Sequence, residues 1–122
     1  MSDEFLRVAR QEIQSEIDSL KGIFLACSND EQLYEKSVDI EKHMHKIKGL
    51  APMMGHEKVG EIARISDIIL KHVISHGVLK GTQYIISDAV QKMHGIFSGQ
   101  DNVETSDFKK TVKDAYPQIL GF

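Results

Sequence analysis

The chain has 122 residues, is 41% hydrophobic and carries a net charge of −3 from 15 basic and 18 acidic residues. That suits one compact domain with one core. The mixing of the charges leaves no basic block for nucleic acid and no acidic tail. Cys27 is the single cysteine, so no intramolecular disulfide forms, and a reducing, cytoplasmic setting is expected. The opening MSDEFLRVAR is acidic and amphipathic, unlike a signal peptide, and no apolar run approaches the roughly 20 residues of a membrane span.

Helical periodicity runs through the chain, and no strand signal stands out. A first helix is expected over about 2–26, with Phe5, Val8, Ala9, Ile13, Ile17, Leu20 and Phe24 on its apolar face. CSND breaks it, and Asn29 or Asp30 can cap a second helix over 31–54 that Gly55 ends. A third helix over 57–75 stops at His76-Gly77, and a fourth covers 79–97. SGQDNVET reads as a loop, after which Thr105 or Ser106 caps a short fifth helix ending before Pro117. The expected fold is all-α: an up-and-down bundle of four antiparallel helices plus a short C-terminal fifth, in a single domain over 1–122.

In the second helix Leu33, Ser37, Ile40, Met44, Ile47, Ala51 and Met54 form a continuous core seam. His45 follows Met44 and is rotated from it by about 100°, so it lies at the flank of the seam, open to solvent. Lys48 and Gly49 stand three and four places on and share its face. Glycine within a helix costs about 1 kcal/mol relative to alanine. Here it leaves bare backbone beside an imidazole, with a positive charge next to it. The group reads as an exposed nucleophile, an anion stabiliser and a cleared landing site.

The third helix has its own seam of Val59, Ile62, Ser66, Ile69 and Val73, supported by Ala63 and Leu70, flanked by Gly60, Arg64, Asp67 and Lys71. If the second and third helices fold back at Gly55-His56, Asp67 comes level with His45. A carboxylate at Nδ1–H would leave Nε2 free to attack and would stabilise the charge that develops on the ring. Arg64, one turn nearer the loop, could meet an anion there. The plainer reading of Asp67 is a surface charge or a partner for Lys71 at i+4.

The segment HKIKGLAPMMG matches the H-x-x-K-G-x5-G pattern and resembles histidine phosphotransfer (HPt) domains, especially the phosphotransfer domain at the start of chemotaxis histidine kinases. The resemblance extends over nearly the whole chain, and SDEFLRVARQEIQSEIDSL is similar to that family's first helix. It implies that His45 is the phosphoacceptor, Lys48 steadies the phosphoryl oxygens, Gly49 clears room for a receiver domain and Asp67 orients the ring. It implies a response-regulator receiver and a histidine kinase catalytic domain as partners, with Mg²⁺ supplied by the receiver. No cofactor of the chain's own, no nucleic acid, no membrane and a monomeric state are expected.

Three positions depart from the pattern. Pro52 lacks the N–H that would bond the Lys48 carbonyl and biases Ala51 away from helical geometry, so the last turn of the helix is expected to kink or end early. Asp67 stands where the family usually has a glutamate and is one methylene shorter, so its bond to His45 is expected to be long or bridged by water. Arg64 stands where some chemotaxis domains have a histidine.

No G-x-x-x-x-G-K-[ST] stretch is present, so no ATP site of that kind is expected. The ending YPQILGF favours a free-standing phosphotransfer protein over the excised first domain of a kinase. Two alternatives remain: a docking module that binds receivers without carrying phosphate, and a helical metal or ligand carrier built on histidines. His72 and His76 are four apart, but no third ligand completes a site, so no metal is assigned. His43 points away from His45, His56 is a turn residue and His94 a bundle residue. The methionines Met44, Met53, Met54 and Met93 are expected to fill core gaps and the helix hairpin, and Cys27 is given no reactive role.

Overall fold

The computed structural model describes residues 2–100 and 102–120. The helices are α1 (Asp3–Phe24), α2 (Asp30–Met53), α3 (Glu57–His76), α4 (Thr82–Phe97), α5 (Thr105–Ala115) and α6 (Pro117–Leu120). The described residues contain no strand, and the all-α bundle expected from the periodicity is what forms.

Side-chain caps mark the starts of α1 and α2. Ser2 precedes α1, and its hydroxyl accepts the Phe5 N–H at 3.1 Å. Asn29 does the same for α2, accepting the Gln32 N–H at 2.8 Å, so each satisfies an N–H group the helix itself cannot. Gly55, at φ 79°, turns the chain between α2 and α3, and Gly77, at φ 97°, stops α3. Both lie in the left-handed region that costs side-chain-bearing residues energy.

One expected boundary shifts and one short helix is added. The fourth helix starts at Thr82 rather than Leu79, because Gly81 has a φ of 91° and precedes it as its cap residue. Gly81 has no side chain to cap with. Instead Asp30, at the start of α2, accepts the N–H groups of Gly81 at 2.9 Å and Gln83 at 2.8 Å. The cap of α4 is thus supplied from another helix. Beyond Pro117 the chain makes one further helical turn, α6, which the sequence reading left out.

Pro52 neither ends α2 early nor stops it, since the helix runs on to Met53. Proline's ring is compatible with helical φ, and Met54 closes the helix by donating to the carbonyls of Ala51 and Pro52.

Cross-helix pairs fix the directions. Pro52 meets Gly60, and Lys48 meets Asp67, so α2 and α3 run antiparallel. His43 and Lys46 meet Glu16, while Lys36 reaches the Ala26 carbonyl, so α1 and α2 also run antiparallel. Arg10 reaches the Phe97 carbonyl and Lys21 approaches His94, and α4 closes against α1. The core holds the expected seams, with Ile40, Met44 and Ile47 of α2 against Ile62, Ile65, Ile69 and Leu70 of α3, and Ile13, Ile17 and Leu20 of α1. Phe5 and Val8 fall outside it and are exposed. Cys27 is buried, and burial pushes its thiol up, against an opposing pull from Lys36.

Candidate functional site

The site lies on one long face of the α2–α3 pair. His45 sits in the second half of α2 with 57% of its side chain exposed. Met44 and Ile47 anchor the opposite face in the core, so the helix cannot roll the ring inward without exposing them. Asp67 comes from α3 and is buried, with its side chain 2% exposed. The sequence placed Asp67 on a flank. In the folded chain that flank is covered by α2, so the carboxylate is an interior group with its charge compensated.

The compensation comes from two lysines. Lys48 Nζ and Lys71 Nζ each lie 3.0 Å from Asp67 Oδ2. His45 Nδ1 lies 3.7 Å from the same oxygen. That is too long for a hydrogen bond, but close enough for the charge to act on the ring. The expectation that Asp67 comes level with His45 is met, and the long separation matches its short side chain. Its plainer role as the i+4 partner of Lys71 is met as well.

Glu41 is part of this group, and the sequence reading missed it. Its Oε2 also lies 3.7 Å from His45 Nδ1, the same distance as Asp67 Oδ2. The signal was present, because Glu41 precedes His45 by four residues and therefore shares its face. Burial by itself would raise the Asp67 carboxyl. The neighbouring Glu41 carboxyl and the ammonium groups of Lys48 and Lys71 outweigh it and hold Asp67 at about 2. Glu41 moves the other way, raised by its proximity to Asp67 and that group's negative charge and by burial.

Gly49 is exposed, and a Cβ built on it would meet nothing within 4 Å. It therefore leaves open surface beside His45 and is not a helix-packing contact. Arg64 is engaged elsewhere, gripping Glu61 with Nε at 3.0 Å and a terminal nitrogen at 2.8 Å. The structure thus brings His45, Lys48, Asp67 and Gly49 together and gives Arg64 a different partner.

Beside the ring is a shallow depression of about 450 Å³ rimmed by Asp39, Lys42, Lys46 and Lys71. His43 also borders it, but its ring turns toward α1, where Nδ1 pairs with the buried Glu16. His43 is therefore a bundle contact, as its two-residue offset from His45 implied. His72 and His76 stack with ring centroids 4.2 Å apart on the far part of α3.

One ligand atom each from Glu41, His45 and Asp67 fall within 4.8 Å of one another, a spacing that a cation can use. The two ammonium groups already on Asp67 Oδ2 oppose a cation there. Chemically, the arrangement offers an exposed imidazole whose Nδ1 side faces carboxyl groups and whose surroundings are rich in lysine. That suits a nucleophile toward an anionic, transferable group. In comparisons with known proteins, no family model, no curated protein and no solved structure matched the chain.

Proposed function

We propose that the chain is a histidine phosphotransfer protein of a two-component phosphorelay of chemotaxis-like type. His45 carries a phosphoryl group on Nε2 to or from an aspartate of a response-regulator receiver. The observation that carries this reading is the exposed His45 ring standing 3.7 Å from a buried, ionised Asp67, with Lys48 tied to that carboxylate at 3.0 Å. The carboxyl side favours Nδ1–H and leaves Nε2 as the attacking atom. As the ring becomes positive, the same charge stabilises it. Lys48 sits beside the path of the phosphoryl oxygens, and open backbone at Gly49 admits a partner domain.

The chain's contribution is positioning and charge, the main work of phosphoryl transfer. The receiver supplies Mg²⁺, and a histidine kinase catalytic domain supplies ATP chemistry. No helix among the described residues is long and apolar enough to cross a membrane, which agrees with a cytoplasmic carrier.

Incubation with a phosphorylated receiver, or with a kinase core and ATP, tests the reading. Acid-labile label should appear on His45 and vanish in His45→Gln with helix content retained. Label that persists in that variant, or maps to another histidine, overturns the assignment. The spacing of Glu41, His45 and Asp67 favours one second reading, a metal carrier. Metal analysis of the purified protein separates the two.

A further inference from the structure

Helix α3 closes with two histidines one turn apart. His72 and His76 stand at i and i+4, so their side chains share one face. Their rings stack with centroids 4.2 Å apart and planes inclined by 14°. They lie outside the His45 group and border a separate depression of about 620 Å³, which Leu79, Tyr116 and Gln118 also line.

The hydrogen bonding fixes one ring's tautomer. His76 Nδ1 lies 3.1 Å from the His72 carbonyl oxygen. A carbonyl only accepts, so Nδ1 carries the hydrogen, and the lone pair of the neutral ring is left on Nε2. An imidazole that binds a metal is held in this way, with one nitrogen donating to a backbone carbonyl and the other free. The ring nitrogens of His72 make no hydrogen bond to any group among the described residues.

The surroundings suit a cation. His76 is the final residue of α3, where carbonyls without a partner in the helix give its end a partial negative charge. No lysine or arginine is among the residues lining the depression. At Glu41, His45 and Asp67, by contrast, two ammonium groups already sit on the Asp67 carboxylate. The Tyr116 hydroxyl is turned to the Lys80 carbonyl, to which it donates at 2.7 Å.

We propose that His72 and His76 form a two-histidine site for a late first-row divalent ion, Zn²⁺, Ni²⁺ or Cu²⁺, at the C-terminal end of α3. Nε2 of His76 and one nitrogen of His72 bind the ion, the rings turning out of their stack to converge on it, and water completes the coordination. The chain supplies no third ligand, and an open, exchangeable chelate needs none, unlike a closed structural zinc centre. The chelate ties residues 72 and 76 together, so the ion clamps the last turn of α3 where Gly77 stops it. This site is independent of the phosphotransfer reading and uses none of its residues.

The test titrates the full chain with Zn²⁺, Ni²⁺ and Cu²⁺ by calorimetry, with Mg²⁺ for comparison, in a His45→Gln background that removes the histidine of the acidic group. A single ion per chain should bind at the pair, Cu²⁺ most tightly, and Mg²⁺, which prefers oxygen ligands, should not. His72→Ala and His76→Ala should each weaken binding by about tenfold or more. With Zn²⁺, the nitrogen-15 shift of His76 Nε2 should move, and amide exchange at residues 73–76 should slow. Affinity that is equal with and without the two histidines, or zinc-induced shifts centred on other histidines, overturns the site. Amide exchange indifferent to zinc overturns the clamp.

Discussion

Pro52 of α2 rests directly on the backbone of Gly60 in α3. A Cβ added to Gly60 would come within 2.8 Å of Pro52 Cγ and 3.0 Å of Cδ. The pyrrolidine ring is bonded to its own backbone and cannot swing aside. The close approach of the two helices near their turn therefore depends on glycine at this point. Gly60→Ala gains about 1 kcal/mol of helix propensity but overpacks the contact, at about 1–3 kcal/mol. A net loss is expected, read as a lower urea midpoint. Pro52→Ala in the same background should recover much of it, and a Gly60→Ala variant as stable as wild type would show that the helices separate freely here.

Gly49 is the opposite case, because open space surrounds it. Gly49→Ala should stabilise the fold by up to about 1 kcal/mol, the difference in helix propensity. Gly49→Gln should also keep or raise stability. If a receiver lands here, Gly49→Gln should slow transfer from a phosphorylated receiver while leaving labelling by phosphoramidate unchanged. Equal slowing with both donors would mean that the substitution disturbs His45 rather than docking.

Asp67 ties stability to acid. Its folded value, about 2, lies below the ordinary 3.8. Its contribution is therefore fully present above 3.8 and is lost as pH falls through about 2. The shift corresponds to about 2 kcal/mol at most. Glu41 has the opposite sign: being raised, it favours the fold below 4.5 and gives that up as pH rises through its folded value. The stability difference between wild type and Asp67→Asn should shrink as pH drops across the Asp67 window. Denaturant titrations at a series of acidic pH values measure it, and a difference independent of pH would remove Asp67 as the responsible carboxylate.

Asp67 and Lys48 are not independent, because the carboxylate holds the ammonium in place. A hydrogen bond to a charged group is worth about 1.5–3 kcal/mol, and 1.36 kcal/mol is tenfold in rate. Asp67→Ala should slow His45 phosphorylation by about one to two orders of magnitude. Lys48→Ala should slow transfer and leave the ring tautomer, read from the nitrogen-15 shifts, unchanged. The double variant should be faster than the product of the two single effects predicts, since removing Asp67 already frees Lys48. Strict additivity would mean that Asp67 and Lys48 act independently of each other.

The helices were legible because the repeat of Leu33, Ile40, Met44 and Ile47 leaves little choice of period. The same geometry put His45, Lys48 and Gly49 on one face. The start of α4 was misplaced because apolar Val78 and Leu79 continue the helical pattern, while the left-handed backbone of Gly81 interrupts it. The burial of Asp67 was not legible, since a helical wheel shows which residues share a flank but not whether a neighbouring helix covers it. The pairing of Arg64 with Glu61 followed a spacing of three that was open to view, yet an arginine offers several such partners. Glu41 was passed over for a similar reason: what distinguishes it is the carboxylate of α3 beside it, and that depends on how the two helices are set against each other.

The carboxylate of Asp30 reaches from the first turn of α2 to the amides of Gly81 and Gln83. Helix α4 therefore begins with N–H groups that its own sequence leaves bare. A peptide of α4 alone would fray from that end. In the intact chain, amide hydrogen exchange at Gly81 and Gln83 becomes a gauge of a distant event, the docking of the start of α2, because those protons meet solvent when Asp30 withdraws.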